Sequence, residues 1–319
     1  MAEHAAGGRD DDIFVYTGGE QVVPDDVTHV IVDKSVKIIR RWAFHDRDRL
    51  VSIEMHDGIE IIEEWAFCDC ISLRGSIKLP GVRVVEGWAF AGTDLTDVEF
   101  GDKLETIGDS AFFGTPLRSV KMPTVREIDR YAFHSCYQLT DVEMPEIERI
   151  GDGAFQSCTL LRRIAIPLKD GIIAGDNVFN WCENLSTVNL GGGIYKTISS
   201  LHMESWRNEM REEIDRINSD LEGTPANEKT DAIRLWIRSV IYRMEHYKAE
   251  HSILLKENMT QLELAVWKAK LDDEEEGGTL DGKAAKKARI DLSSARKVER
   301  RITSGADIII RNVLPFLQL

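Results

Sequence analysis

Residues 139–158 read LTDVEMPEIERIGDGAFQSC, and this stretch decides the fold because the chain restates it. Its second half sets an apolar β-branched residue four positions before an Ala-Phe pair. That phrase recurs as Ile39 with Ala43-Phe44, Ile62 with Ala66-Phe67, Val85 with Ala89-Phe90, Ile107 with Ala111-Phe112, Ile128 with Ala132-Phe133 and Ile150 with Ala154-Phe155, with a worn copy at Val178-Phe179. The steps from Phe to Phe are 23, 23, 22, 21, 22 and 24 residues. Self-similarity at a fixed period of this size marks a repeat architecture.

The first half, Leu-x-x-Val/Ile-x-apolar, recurs between the Ala-Phe pairs. It is carried by Leu50, Ile53 and Met55; Leu95, Val98 and Phe100; Leu117, Val120 and Met122; Leu139, Val142 and Met144; Leu161, Ile164 and Ile166; and Leu185, Val188 and Leu190. Leu73, Ile77 and Leu79 match with one inserted residue, and Val27, Val30 and Val32 give an upstream copy. Alternating β-branched apolar positions predict a short half-buried strand. Pro80, Pro123, Pro145 and Pro167 follow its last apolar residue, and proline, having no N–H for the ladder, ends the strand there. Each unit is therefore expected to be a strand, a turn and a compact helical or 3₁₀ turn around Ala-Phe. One unit cannot bury its apolar edge alone, but a stack of them buries a continuous core with the Phe residues as a spine on the convex side. Three residues after each Phe from Phe67 onward the chain carries Cys70, Thr93, Thr115, Cys136, Cys158 and Cys182. A slot that takes Cys or Thr is a small buried site using a weak S–H or an O–H donor, so structural thiols are expected there, with neither disulfides nor a metal.

The pattern L-x-x-V-x-[LM]-P-x-[IV]-x-x-I-x-x-x-A-F-x-x-C from Leu139 to Cys158 resembles the BspA-like leucine-rich repeat, over residues 27 to 190. The resemblance implies an α/β leucine-rich-repeat solenoid of parallel strands that acts as a protein-interaction scaffold. Repeat and helical tail together resemble the intracellular leucine-rich-repeat proteins of diatoms.

A net charge of −15 with 43% hydrophobic and 30% charged residues fits a soluble globular chain and argues against binding nucleic acid or anionic membrane over the whole surface. No apolar run reaches the roughly 18 to 20 residues of a membrane helix. Residues 1–12 lack the apolar core of a secretory signal, which points to the cytoplasm or nucleus.

Two surface features could bind a partner. The strand position beside the central Val/Ile reads Ile31, Glu54, Lys78, Glu99, Lys121, Glu143, Ala165 and Asn189. In register this is a ladder of opposite charges, either a self-neutralising solvated strip or a polar docking strip for a protein or peptide. Trp42, Trp65 and Trp88 stand directly before Ala in three successive coils, where later coils carry Ser110, Tyr131 and Gly153. Flanked by Arg40 and Arg41, they form a ridge that either covers neighbouring backbone or anchors a partner.

After Gly191-Gly192-Gly193 the period changes to 3.6 residues. Met203, Trp206, Met210, Ile214, Ile217 and Leu221 predict an amphipathic helix over residues 201–221. Thr224-Pro225 and Asn227 give a turn and helix start, and Ile233, Ile237, Val240, Met244, Tyr247, His251 and Leu254 then advance in alternating steps of four and three. That is a coiled-coil-like seam, so a helical hairpin is expected. Thr260 with Glu263 reads as a capping box opening a third helix that ends near Leu271. The hairpin either covers the open end of the solenoid or pairs with another copy.

The domains expected are thus a flexible tail with a leading strand (1–26), the solenoid (27–200), the hairpin with a third helix (201–271), a charged linker (272–302) and a docking helix (303–319). Lys286, Lys287 and Arg289 in the linker fit a loose nuclear-import pattern. No nucleophile, acid–base pair or phosphate loop stands in a distinguishing context, so neither an enzyme nor a cofactor is expected. The expected function is a non-catalytic protein-interaction scaffold. The alternative is a structural protein that self-assembles through its C-terminal helices.

Overall fold

The structure, a computed structural model, describes residues 13–190 and 204–276. They divide into two compact units, one holding residues 13–190 with Asn208–Ile241 and the other residues 204–207 with 242–276. The import candidates Lys286, Lys287 and Arg289 and the helix expected at 303–319 lie outside the described residues.

The strands in chain order are β1 (Ile13–Tyr16), β2 (His29–Val32), β3 (Ile38–Ile39), β4 (Ser52–Glu54), β5 (Ile61–Ile62), β6 (Arg74–Leu79), β7 (Val84–Val85), β8 (Asp94–Phe100), β9 (Thr106–Ile107), β10 (Ser119–Lys121), β11 (Glu127–Ile128), β12 (Asp141–Glu143), β13 (Arg149–Ile150), β14 (Arg163–Ile166) and β15 (Thr187–Leu190). All pair in parallel between successive coils. The Leu-x-x-Val phrase supplies β2, β4, β6, β8, β10, β12, β14 and β15, which with β1 form sheets ordered β1-β2-β4, β6-β8 and β10-β12-β14-β15. Ile31 pairs with Glu54, Lys78 with Glu99, Lys121 with Glu143 and Ala165 with Asn189, the register the pattern requires. The residue inserted after Leu73 appears as a register shift between Gly75 and Ser76.

A second parallel sheet lies on another side of the coil, in the order β13-β11-β9-β7-β5-β3. Its two-residue strands end on the β-branched residue four positions before Ala, and Ile39, Ile62, Val85, Ile107, Ile128 and Ile150 are fully buried. The seven Phe rings from Phe44 to Phe179 stack with centroids 4.9–5.8 Å apart and planes within 9° of parallel. Tyr16 of β1 closes the near end of this spine, edge-on to Phe44 at 5.0 Å.

The helical or 3₁₀ turn expected around Ala-Phe is not formed. The residue before the Ala-Phe pair, or before its Val178-Phe179 counterpart, has positive φ in every coil, at Trp42, Trp65, Trp88, Ser110, Tyr131, Gly153 and Asn177. So does the residue two positions after Phe, at Asp46, Asp69, Gly92, Gly114, Ser135, Ser157 and Trp181. A right-handed helical turn would aim its N–H groups back along its own chain. Here the turn alternates: Ala43, His45 and Arg47 bond back within it, to the carbonyls of Arg40, Trp42 and Phe44, while the N–H groups between them point to the following coil. Phe44, Phe67, Phe90, Phe112 and Phe133 each donate at 2.8 Å to the Ala carbonyl of the next coil, while Trp42 donates to Glu64 and Asp46 to Cys68 on either side.

The slot behind Phe behaves as its composition suggests. Thr93 and Thr115 donate at 2.8 Å to the Phe carbonyl of their own coil, whereas Cys70, Cys136, Cys158 and Cys182 donate at 2.9–3.2 Å to that of the preceding coil. Burial pushes the thiols of Cys70 and Cys182 up to about 12.

At the last coil the forward donors need acceptors, and the helical hairpin provides them. It comprises α1 (Glu204–Gly223) and the start of α2 (Lys229–Glu276). Phe179 N donates to Thr230 Oγ1 at 2.9 Å, Trp181 N to the Ala226 carbonyl at 3.0 Å, and Val188 N to Asn218 Oδ1 at 2.8 Å. In return Lys229 Nζ donates to the carbonyls of Glu183 and Leu185 at 2.9 and 2.6 Å, and Arg234 to those of Ile173 and Gly175 at 3.3 and 2.7 Å. Lys229 is 2% exposed, and this burial lowers its pKa. Ile214, Ile217 and Leu221 of α1 and Ile233, Trp236, Ile237 and Val240 of α2 are buried.

The third helix is not a separate element. Helix α2 runs unbroken through Thr260 to Glu276, and so takes in the first residues expected to be linker. The Thr260 hydroxyl donates 2.8 Å back to the Lys256 carbonyl, the bond a mid-helix Thr makes when the preceding turn supplies an acceptor. A capping box needs free N–H groups, and the preceding turn leaves none.

Candidate functional site

The left-handed position before Ala carries the aromatic surface. Trp65 and Trp88 stack face to face, with centroids 4.8 Å apart and planes 1° from parallel. Trp42 stands apart from that stack, 56% exposed, with the Arg41 guanidinium 5.4 Å from its ring centre. Arg41 in turn is ion-paired to Glu64, and Arg40 lies 3.8 Å from Glu63.

The ridge does not stop at Trp88. Its indole meets Phe113 at 5.7 Å, Phe113 stacks on His134 at 5.1 Å, and Tyr131 closes edge-on to His134 at 5.5 Å. The aromatic row thus crosses from the column before Ala to the column after Phe. A Cβ built on Gly153 would fall 2.5 Å from the Tyr131 ring, so the glycine at this left-handed site also makes room for the last ring of the row. Burial lowers the pKa of His134, which keeps the imidazole neutral beside the apolar rings near pH 7. Phe113 and His134 were not singled out from the sequence. The doubled Phe112-Phe113 was the available signal, since only one of two adjacent residues can join the spine. Trp181, also passed over, is 53% exposed at the second left-handed position of the last coil.

The strand-face charges resolve into two separate pairs. Lys78 lies 2.9 Å from Glu99, and Lys121 lies 3.9 Å from Glu143, all well exposed. Glu54 lies on β4, and no strand pairing joins β4 to β6 or β8 to β10, so the ladder is interrupted at the sheet breaks. A second set of coil-to-coil pairs runs beside the two-residue strands, with Arg83 2.9 Å from Glu105, Arg130 2.9 Å from Asp109 and Arg149 2.8 Å from Asp129. An open depression of about 400 Å³ lined by Asp109, Asp129, Arg130, Arg149 and Asp152 sits among these pairs. Asp109 and Asp129 are each held by an arginine there, which suits inter-coil cohesion rather than proton transfer. No helix among the described residues is long and apolar enough to cross a membrane.

Residues 25–136 and 83–207 match the BspA type leucine rich repeat region, in 6 copies. No curated protein matches the chain. Among solved structures, a leucine rich cell surface protein from Faecalibacterium prausnitzii is 23% identical over 51% of this chain and 54% of its own, with a TM-score of 0.38. A leucine-rich repeat protein from Bacteroides ovatus is 23% identical over 56% of this chain and 63% of its own, TM-score 0.36. One from T. pallidum is 25% identical over 56% and 72%, TM-score 0.35. The chain therefore spans between about half and two thirds of the length of the first two.

Proposed function

Because this chain belongs to the BspA type leucine-rich repeat family, whose solenoids generally offer extended surfaces to protein partners, we propose that it is a non-catalytic scaffold. It binds a protein or peptide along the aromatic row from Trp65 to Tyr131, with Trp42 at one side. The observation that carries this is backbone conformation. A bulky L-residue in the left-handed region costs on the order of 1–2 kcal/mol, yet three coils place Trp and one Tyr there. Other coils fill the same position with Ser110 and with Gly153 and Asn177, the last two of types that adopt it more readily. Unfavourable conformation retained in favour of accessible indoles supports a recognition role. The five buried cysteines, none of them paired, support a reducing compartment such as the cytoplasm.

The test replaces Trp42, Trp65 and Trp88 together by Ser, which coil four already carries at this position. Cross-linking mass spectrometry of the tagged chain in its own cells should report a partner on the aromatic row. The triple variant should lose that partner with an unchanged circular dichroism spectrum. Retained capture, or cross-links confined to Lys78 and Lys121, would refute the assignment.

A second reading, assembly of copies through the C-terminal helices, is favoured by one feature of α2. Tyr242, Ile253, Leu264 and Trp267 are exposed and fall within about 60° of one another around the helix. Light scattering decides it: mass should rise with concentration and return to the monomer value in Tyr242→Lys/Ile253→Lys. A mass independent of concentration excludes it.

A further inference from the structure

The residues one and two positions after Phe bring an unused donor set together in the first two coils. His45-Asp46 follows Phe44, and Cys68-Asp69 follows Phe67. Stacking one coil on the next sets a ring nitrogen of His45, the Sγ of Cys68 and a carboxylate oxygen of Asp69 all within 4.8 Å of one another. Asp46 Oδ2 lies 3.1 Å from His45 Nδ1, a neighbour of the ring that is not one of the three converging donors. From these contacts we propose that His45, Cys68 and Asp69 form a Zn²⁺ site linking the first coil to the second.

Three atoms so spaced have a common point within about 2.8 Å of each, against zinc bond lengths of about 2.0–2.3 Å. A contraction of well under 1 Å closes the shell. Cys68 is 2% exposed and fixed by packing, whereas the side chains of His45 and Asp69 reach solvent and can supply that movement. One nitrogen, one sulfur and one oxygen, with a water in the fourth position, suit tetrahedral Zn²⁺; Mg²⁺ and Ca²⁺ take all-oxygen shells of six or more. The Cys68 thiol now donates to Asp69 Oδ2 at 3.3 Å. On binding, the S–H bond breaks, a Zn–S bond forms and the proton leaves to solvent. Nothing is oxidised or reduced.

The arrangement is specific to this end of the solenoid. In the same two columns the third coil carries Ala91-Gly92, the fourth Phe113-Gly114 and the sixth Gln156-Ser157. Two consecutive coils with ligand-type residues in both columns occur at this place alone among the described residues. The neighbouring coils also supply variants that the fold already accommodates: Cys68→Ala copies Ala91, His45→Gln copies Gln156 and Asp69→Ser copies Ser157.

The experiment uses the full chain without an affinity tag, titrated with Zn²⁺ against a chromophoric chelator, and with Co²⁺ as the spectroscopic probe. One equivalent of Zn²⁺ should bind, and Co²⁺ should give a thiolate-to-metal charge-transfer band together with tetrahedral d–d absorption. Cys68→Ala should abolish the band. His45→Gln and Asp69→Ser should each weaken zinc binding by about tenfold or more, with circular dichroism unchanged. Cys70→Thr, a swap within the buried Cys/Thr slot, should leave both signals intact. Absence of the band in the unaltered chain, or its survival in Cys68→Ala, overturns the proposal. So does equal affinity in all the variants.

Discussion

Thr230→Val isolates the contact by which the helical hairpin replaces a missing coil. From Phe44 to Phe155, every spine residue donates its N–H to a backbone carbonyl one coil ahead; Phe179, in the last coil, donates to the Thr230 hydroxyl at 2.9 Å. That hydroxyl also lies 3.1 Å from Asn180 Oδ1, completing a short chain of bonds. Valine has nearly the shape of threonine, so packing is kept while Phe179 N–H, attached to a fully buried residue, loses its acceptor. Leaving a buried donor unsatisfied costs about 1–3 kcal/mol. In a solenoid each coil contacts only its neighbours, so the loss should appear as local opening of the last coil and not as a uniform fall. Native-state hydrogen exchange reads this directly. Protection of the Phe179 and Trp181 amides should fall by about 5- to 160-fold, the Boltzmann equivalent of that cost, while those of Phe112 and Phe133 stay constant. Unchanged protection at Phe179, or an equal loss along the whole solenoid, would refute the capping role of α2.

Phe133, fully buried and stacked 5.3 Å from Phe112 and 5.2 Å from Phe155, should lose about 3–5 kcal/mol on change to Ala by urea denaturation; a loss below about 1 would mean the spine carries little of the stability. Lys229→Met, which strips the carbonyls of Glu183 and Leu185 of a donor, should open the last coil at least as far as Thr230→Val. Burial raises the thiols of Cys70 and Cys182 from 9.0 to about 12, so the folded chain keeps protons that the unfolded chain releases. Stability should therefore fall as pH rises from 9.0 toward 12, and Cys70→Thr/Cys182→Thr should flatten that fall in urea midpoints. Lys78→Ala, which breaks an exposed pair with Glu99, should change stability by less than about 1 kcal/mol; a larger loss would give the strand-face charges a structural role they are not assigned.

The parts of the fold legible in the sequence were those where residue type and buried contact correspond one to one. Phe at a fixed step can only be a spine, and Cys alternating with Thr can only be a small slot with a donor. The second sheet was not legible because a strand of two residues has no periodicity of its own; it exists through pairing with residues some 22 positions away. The left-handed column was masked by its occupants. Gly153 and Asn177 hint at positive φ, but Trp42, Trp65 and Trp88 in the same column suggest a surface feature, and both are true of one position. The extension of the aromatic row through Phe113 and His134 escaped because it changes column between coils, which a search within one column cannot find. Thr260 misled because the same Thr-x-x-Glu spacing serves a helix start or a helix interior, depending on whether the preceding turn is helical.

The direction of the inter-coil bonds also explains why the helical cap stands at the C-terminal end. In each Ala-Phe turn every second N–H is given forward and every second carbonyl receives from behind. At these turns the last coil is therefore left with donors and the first with acceptors, although the strands between them also donate backward. A buried orphan N–H is tolerated less than a carbonyl with a free lone pair, so the two ends need different treatment. At the first coil Arg47 occupies the slot that Cys or Thr fills elsewhere, donating to the His45 carbonyl at 3.0 Å and to the Val23 carbonyl at 3.0 and 3.2 Å. One long cation serves the His45 carbonyl of the turn there. At the last coil the acceptors must be placed at three separate points, Thr230 Oγ1, the Ala226 carbonyl and Asn218 Oδ1, and only a second folded element can hold all three. The change from a 22-residue to a 3.6-residue period thus follows from the polarity of the repeat. A solenoid whose turns donate forward needs acceptors beyond its last coil, and in this chain the helix hairpin supplies them.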